Sequence, residues 1–229
     1  MIILKRAIIA ITATVCSIIL AVVLSVYLIH LNASRAEYEE LLDFIDTLEL
    51  SEFDIEMMKI NPDYVCWISI EDTTIDHPVV RAENNIKYLD TSFSGEENIF
   101  GTLFLDYRCV GYYVPNIIIY GHNPAEGDFF GNLWMFLDWH YQEEHPVITL
   151  LVNGQEFEYE IFAVRQTDVN DPAYYLDFTE PGSFEDFAER CGAPARKVAQ
   201  ILTLSTCVID GDDDERLIIQ GALLQSGPS

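Results

Sequence analysis

Two hydrophobic patterns divide the chain. Ala7 to Leu31 form an unbroken stretch without a charge, AIIAITATVCSIILAVVLSVYLIHL. A bilayer core needs roughly 20 apolar residues in a helix, so this run is long enough to span it with tilt to spare. Lys5 and Arg6 precede the run, and the positive-inside rule keeps that end in the cytoplasm and puts the rest outside. Tyr27 and His30 suit the interfacial layer at the far end. The competing reading is a cleaved signal peptide. Its apolar region is shorter, about 7–15 residues, and a small-x-small site follows it. Asn32-Ala33-Ser34 is a poor version of that site, so an uncleaved anchor is the expectation.

Beyond the anchor the period changes twice. Leu41, Leu42, Ile45 and Leu48 recur at helical spacing opposite Glu37, Glu39, Glu40, Asp43 and Asp46, which predicts helix from Ala36 to Ile60, stopped by Pro62. Short β-like runs separated by turn residues then take over. They are Val65–Ile70, Ile75–Val80, Gly101–Leu105, Asn116–Tyr120, Val147–Val152, Glu156–Val164, Ala199–Ser205 and Arg216–Leu224. Asn153-Gly154 joins two of them as a hairpin, because both central positions of that turn need positive φ. Helical pieces are expected near Asn132–Tyr141 and over Ser183–Cys191. In the second, Ser183 with Asp186 three residues on resembles a capping box. About eight strands in one domain of this size predict a mainly β fold, a closed barrel with peripheral helices. The organisation expected is a cytoplasmic tail over 1–6, an anchor over 7–31, a helical stalk over 32–60 and the barrel over 61–226.

Charge narrows the function. The 229 residues carry 12 Lys and Arg against 38 Asp and Glu, a formal net charge of −26. A nucleic-acid groove needs clustered basic side chains, so that class is excluded. Such a surface instead gathers cationic or amine-bearing partners. Five cysteines in a chain of this length do not make a disulfide scaffold, although the four outside the anchor (Cys66, Cys109, Cys191 and Cys207) leave pairing open. No CxxC or HxxxH is present and the five histidines are scattered, so neither a metal nor a cofactor is expected.

Three residues stand where β runs meet loops. Cys207 follows the run Gln200–Thr206, a setting that suits a rigidly held nucleophile and equally a small buried hydrophobe. His122 follows Asn116–Tyr120 and Gly121. Imidazole moves protons near neutral pH, and a thiol needs such help because the thiolate is the nucleophile; a turn-capping role is the plainer alternative. Arg216 opens the last β run and can hold a substrate carbonyl or oxyanion, or pair with the neighbouring Asp and Glu.

The fragments Tyr120-Gly-His-Asn, Thr203-Leu-Ser-Thr-Cys207 and Arg216-Leu-Ile-Ile together resemble the signature of the sortases, in the order His, Cys, Arg. Asn61-Pro-Asp-Tyr-Val-Cys-Trp-Ile, Thr74-Ile-Asp-His-Pro-Val-Val80, Gly101-Thr-Leu-Phe-Leu-Asp-Tyr107 and Phe130-Gly-Asn-Leu133 resemble class B sortases in particular, as do the N-terminal helical segment and the inserted helix. Coverage is Ile60 to Leu224 plus the anchor. The resemblance implies an eight-stranded barrel behind a transmembrane helix, acting as a cysteine transpeptidase on a Gram-positive cell surface. By analogy Cys207 attacks the carbonyl of a Thr in a partner's C-terminal sorting signal, His122 moves the protons and Arg216 holds the oxyanion. A thioacyl-enzyme forms, and an amine of a cell-wall precursor or a pilin lysine resolves it. Tyr120, Ser205, Tyr175 and Leu176 are implied to line the peptide groove. Two departures stand out. Cys109 stands where class B relatives often have Asn, so a polar group of the groove is missing or replaced, and Pro124 stands where Met is more usual.

Other exported cysteine enzymes fit less well. Papain-like chains place Cys before His, and L,D-transpeptidases carry a His/Ser-rich run and a Gly ahead of their Cys. A non-catalytic surface module on the same barrel is the further alternative. Finally, Asp210–Glu215 holds five acids in six residues. This loop is either a solvated surface or a device that concentrates a cationic amine acceptor at low salt.

Overall fold

The computed structural model describes residues 50–111, 114–124, 129–194, 198–207 and 214–224, with the backbone alone at 207 and 224. The chain divides into two units, Met1–Glu49 and Leu50–Ser229. The apolar run 7–31 and the first part of the expected stalk helix lie outside the described residues. Among those described, no helix is long and apolar enough to cross a membrane.

Helix α1 (Glu52–Ile60) leads into strands β1 (Tyr64–Ser69) and β2 (Asp76–Val80). A connection containing the 3-10 turn Lys87–Leu89 reaches β3 (Leu103–Leu105), and β4 (Asn116–Tyr120) follows. The 3-10 turn Leu133–Leu137 and helix α2 (Trp139–Glu144) precede the hairpin of β5 (Val147–Val152) and β6 (Gln155–Asp168). A 3-10 turn, Pro172–Tyr174, and helix α3 (Ser183–Cys191) lead to β7 (Val198–Cys207) and β8 (Glu215–Leu224). The strands close into a barrel in the order β1-β2-β3-β4-β7-β8-β6-β5. Two neighbouring pairs are parallel, β2 with β3 and β4 with β7; the other pairings are antiparallel.

The expected strands all form, Asn116–Tyr120 and Val147–Val152 with the bounds expected and the other six with shifted ends. The Asn153-Gly154 turn has φ of 51° and 74°, as its primed geometry requires. β6 runs on to Asp168, with a bulge between Ile161 and Ala163 where it pairs with β8. β3 is shorter than the run Gly101–Leu105, because Gly101 is at φ 59°, outside strand geometry.

Three helical expectations change. The run to Ile60 is interrupted at Ser51, whose extended backbone (φ −62°, ψ 151°) and side chain, accepting from Asp54 N, start α1 afresh. The piece near Asn132–Tyr141 splits at Asp138, which ends one turn and caps the next by accepting from His140 N. The capping box at Ser183 does not form. Gly182, at φ 82°, takes the cap position, and the Ser183 hydroxyl lies buried without a hydrogen-bond partner.

Inward-facing Ile68, Val79, Leu103, Ile117, Ile119, Ile148, Leu150, Leu202, Leu204, Leu217 and Ile219 fill the barrel. Alternation puts Asn116, Thr203, Ser205 and Gln220 on the other face of β4, β7 and β8, yet these too are buried. That face lies under the connection from β6 to β7: Asn116 donates to the carbonyls of Ala173 and Tyr175. Central strands covered on both sides explain why these sequences read as nearly continuous apolar runs.

Candidate active site

Strand β4 and the two C-terminal strands bring the three sequence-predicted residues to one end of the barrel. In the β4/β7 pairing Tyr120 stands beside Ser205, and the next amide, Gly121 N, donates to Ser205 O at 3.2 Å. The hydroxyl of Thr206 donates to Gly121 O at 2.8 Å. These two bonds hold the backbone entering His122 against the end of β7. Gly121 is needed for the close approach, since a Cβ there would stand 2.3 Å from Leu103 Cδ2 and 2.7 Å from Phe130 Cδ2. On the other side of β7, residue 207 is the register partner of Arg216. His122, Cys207 and Arg216, distant in sequence, therefore mark one rim.

The His122 ring is anchored by a contact that sequence reasoning did not find. Its Nε2 lies 2.6 Å from the carbonyl oxygen of Leu89, in the connection from β2 to β3. A carbonyl only accepts, so this contact assigns the hydrogen to Nε2 and leaves the lone pair of the neutral ring on Nδ1. Nothing in the letters around Leu89 signals this, because the group used is a backbone carbonyl. Arg216 is half-buried, and its Nη1 donates to Glu215 O at 2.8 Å.

Two hollows meet at this rim. The smaller, about 230 Å³, is lined by Leu89, Phe104, Tyr120, His122, Thr206 and Arg216 among others. The larger, about 540 Å³, is lined by Arg108, Tyr120, Asn170, Asp171, Tyr174, Tyr175 and Arg216 among others. Tyr120 borders both, and Ser205 borders the smaller. Ser205 is itself buried, its hydroxyl 2.8 Å from that of Tyr174. Tyr175 is exposed on the wall of the larger hollow. Leu176, expected beside it, is partly buried, packs against the barrel core and is not among the residues lining either hollow. Tyr174, Leu89 and Asn85 join the lining although no sequence motif pointed to them.

Beneath Tyr120 lies Asp106, whose side chain is fully buried. Its carboxylate accepts from Arg108 N and Nε at 2.9 Å, from Arg108 Nη2 at 2.8 Å and from Tyr120 OH at 3.0 Å. Burial works to raise the Asp106 carboxyl, but the Arg108 bonds and charge outweigh it and hold it below the usual carboxylate range. Tyr120 is pushed upward by burial and by the Asp106 charge, so it stays a protonated donor.

The remaining described cysteines are structural. Cys66, Cys109 and Cys191 are free and buried. Burial, with a contribution from Asp54, pushes the Cys66 thiol up to about 12, and burial pushes Cys109 to about 11. Cys109 therefore does not occupy a groove: it faces the barrel core, its Sγ 3.7 Å from Asn116 O. Pro124 is buried. Residues 210–213 of the acidic loop lie outside the described residues. Among the described residues, no group of three or more His, Cys, Asp or Glu is placed to hold a metal ion.

This architecture has known relatives. A sortase domain model matches residues 68–224. Sortase B of Listeria monocytogenes is 34% identical over 181 residues, 74% of this chain and 73% of that protein. The structure of Clostridium perfringens sortase B superposes with a TM-score of 0.66 at 28% identity, covering 74% of this chain and 98% of that one. A Staphylococcus aureus sortase B–substrate complex, at 24% identity, shares the fold with a TM-score of 0.70 over 86% of this chain and 98% of that one. With its barrel, its strand order and these likenesses in agreement, the chain belongs to the sortase family, as a class B-like cysteine transpeptidase.

Proposed function

We propose that Cys207, His122 and Arg216 are the catalytic residues, and that the enzyme cleaves a partner protein's C-terminal sorting signal after Thr. The observation that carries this reading is the meeting of β4, β7 and β8 at one rim, where Cys207 pairs with Arg216 and Thr206 clamps the backbone before His122. In the reaction, Nδ1 of His122 takes the proton of the Cys207 thiol, and the thiolate attacks the Thr carbonyl. As the tetrahedral intermediate collapses, the C–N bond breaks and His122 returns the proton to the departing amine. The thioacyl-enzyme is then attacked by an incoming amine, which gives its proton to His122 while the Cys207 thiolate leaves. Arg216 stabilises the oxyanion at both stages with a charge that does not titrate away.

The larger hollow takes the sorting peptide, with Tyr120, Tyr174 and Tyr175 as its walls. Residues 7–31 anchor the chain as a single span, N-terminus inside, with the barrel outside the cell. The acceptor is an amine of the cell wall or of a pilin, in keeping with a net charge of −26. Mass spectrometry of the full chain in detergent, with sorting-signal peptides and with or without an amine, tests the reading. An acyl adduct mapped to Cys207 that clears on adding amine is expected. Turnover surviving Cys207→Ala, or no adduct with any peptide, would refute it.

A further inference from the structure

A closed chain of polar bonds lies under the segment that walls the larger hollow. It begins at Arg165 in β6. Its Nη2 donates to Asp171 Oδ1 at 2.7 Å, its Nε to Asp171 Oδ2 at 3.2 Å, and its Nη1 to Gln220 Oε1 in β8 at 3.0 Å. Gln220 Nε2 donates to Thr203 Oγ1 in β7 at 3.2 Å, and that hydroxyl donates to Asn116 Oδ1 in β4 at 3.1 Å. Asn116 Nδ2 returns to the segment, donating to Ala173 O at 2.8 Å and Tyr175 O at 3.1 Å. Asp171 closes the circuit, accepting from Thr167 Oγ1 at 2.6 Å and from Ala173 N at 2.8 Å. Gln220, Thr203 and Asn116 are wholly buried.

Such a network is an unusual way to fasten a loop. Burying charges costs desolvation that an apolar contact avoids, so the ion pair contributes position more than stability. What it positions is the turn Pro172–Tyr174 and the residue after it. Tyr174 reaches Ser205 with its hydroxyl and stacks on Tyr120, ring centroids 6.4 Å apart and planes 12° from parallel. Tyr175 lines the same hollow. Burial works to raise the Asp171 carboxyl, but hydrogen bonds from Arg165, Thr167 and Ala173 outweigh it and keep it below the usual range, so the pair is charged at neutral pH.

We infer that Arg165 and Asp171 are positioning residues for substrate binding: their ion pair, through the polar chain between sheet and segment, sets where Tyr174 and Tyr175 stand and so sets the width of the peptide groove. The inference rests on the reading that this groove takes the sorting signal. Asp171 itself lines the larger hollow, and neither it nor Arg165 lines the smaller one that His122 borders, so they act on binding more than on the chemical step.

The test uses the full chain in detergent and the near-isosteric variants Asp171→Asn and Arg165→Gln, with Arg165→Lys as the conservative one. The probe is a fluorophore–quencher peptide carrying a Thr-containing sorting signal, selected from a library on the parent enzyme. The expected result is KM raised about tenfold with kcat held within about twofold, the scale of one charge-assisted hydrogen bond removed from the bound state. Arg165→Lys, which keeps the charge and loses the fork, falls between. Amide hydrogen exchange at Ala173, Tyr174 and Tyr175 speeds up while β7 and β8 stay protected. Unchanged KM with unchanged exchange at 173–175 would overturn the inference. So would a fall in kcat at constant KM, or a drop in protection spread evenly across the barrel, which marks a purely structural role. If Cys207→Ala retains turnover, the active-site reading fails, and the exchange measurement still decides on the segment.

Discussion

Replacing Asp106 by Asn probes how the floor of the groove is held. The substitution keeps the shape and one acceptor, but it removes the charge and turns the second oxygen into an NH2 that faces a donor. In the native protein that carboxylate receives four bonds, three of them from Arg108. Breaking a fully buried ion pair costs roughly 3–5 kcal/mol. The Arg108 side chain is 45% exposed and can regain water, so the expected loss is discounted to about 2 kcal/mol. For a domain of this size that lowers the melting temperature by roughly 4–8 °C. Denaturant unfolding at pH 7 measures it directly, and a double-mutant cycle with Arg108→Met isolates the pair. The dependence on pH has a definite sign. The folded-state Asp106 carboxyl lies below its ordinary value of 3.8, so its contribution is fully present above that value and is lost as pH falls through the folded one. The gap between parent and variant must therefore narrow below about pH 4. A loss under about 0.5 kcal/mol at pH 7, or a gap that stays constant down to pH 3, would refute the argument.

Other outcomes follow from the same geometry. Gly121→Ala drives a Cβ into Leu103 and Phe130, so the His122 backbone shifts and kcat falls about 10²-fold; steady-state kinetics checks it, and an unchanged kcat would remove Gly121 from the account. In native protein treated with iodoacetamide at pH 8, Cys66 and Cys109 stay unlabelled, because they are buried and their thiols are pushed to about 12 and about 11. Peptide mapping that finds either modified as fast as Cys207 contradicts this. Ser51→Ala removes the acceptor for Asp54 N and costs about 1 kcal/mol; faster amide exchange over the first turn of α1, with β1 unchanged, is the expected signature.

The strands were legible because each carries its own signal. Alternating or wholly apolar runs between turn residues located all eight, and Asn153-Gly154 announced its hairpin because few residues tolerate the positive φ both positions adopt. The residues proposed as catalytic, Cys207, His122 and Arg216, stood out in the sequence for a related reason: each sits at the boundary of such a run, where a rigid element meets a loop. The helix Ser183–Cys191 has the bounds its sequence predicts, but the caps were not legible, because a cap depends on one backbone torsion. Gly182 and Ser51 decide it, and similar letters nearby do not. The sequence by itself thus determined the strand content and the residue types able to do thiol chemistry. Only the tertiary structure decided that parallel pairing of β4 with β7 carries His122 to the end of the strand holding Cys207. It alone set a backbone carbonyl of Leu89 against the imidazole, turned Cys109 into the core, and joined Arg165 to Asn116 through four strands. Local propensity is a property of neighbours along the chain. These interactions link residues far apart in it, and they exist only once the barrel has closed.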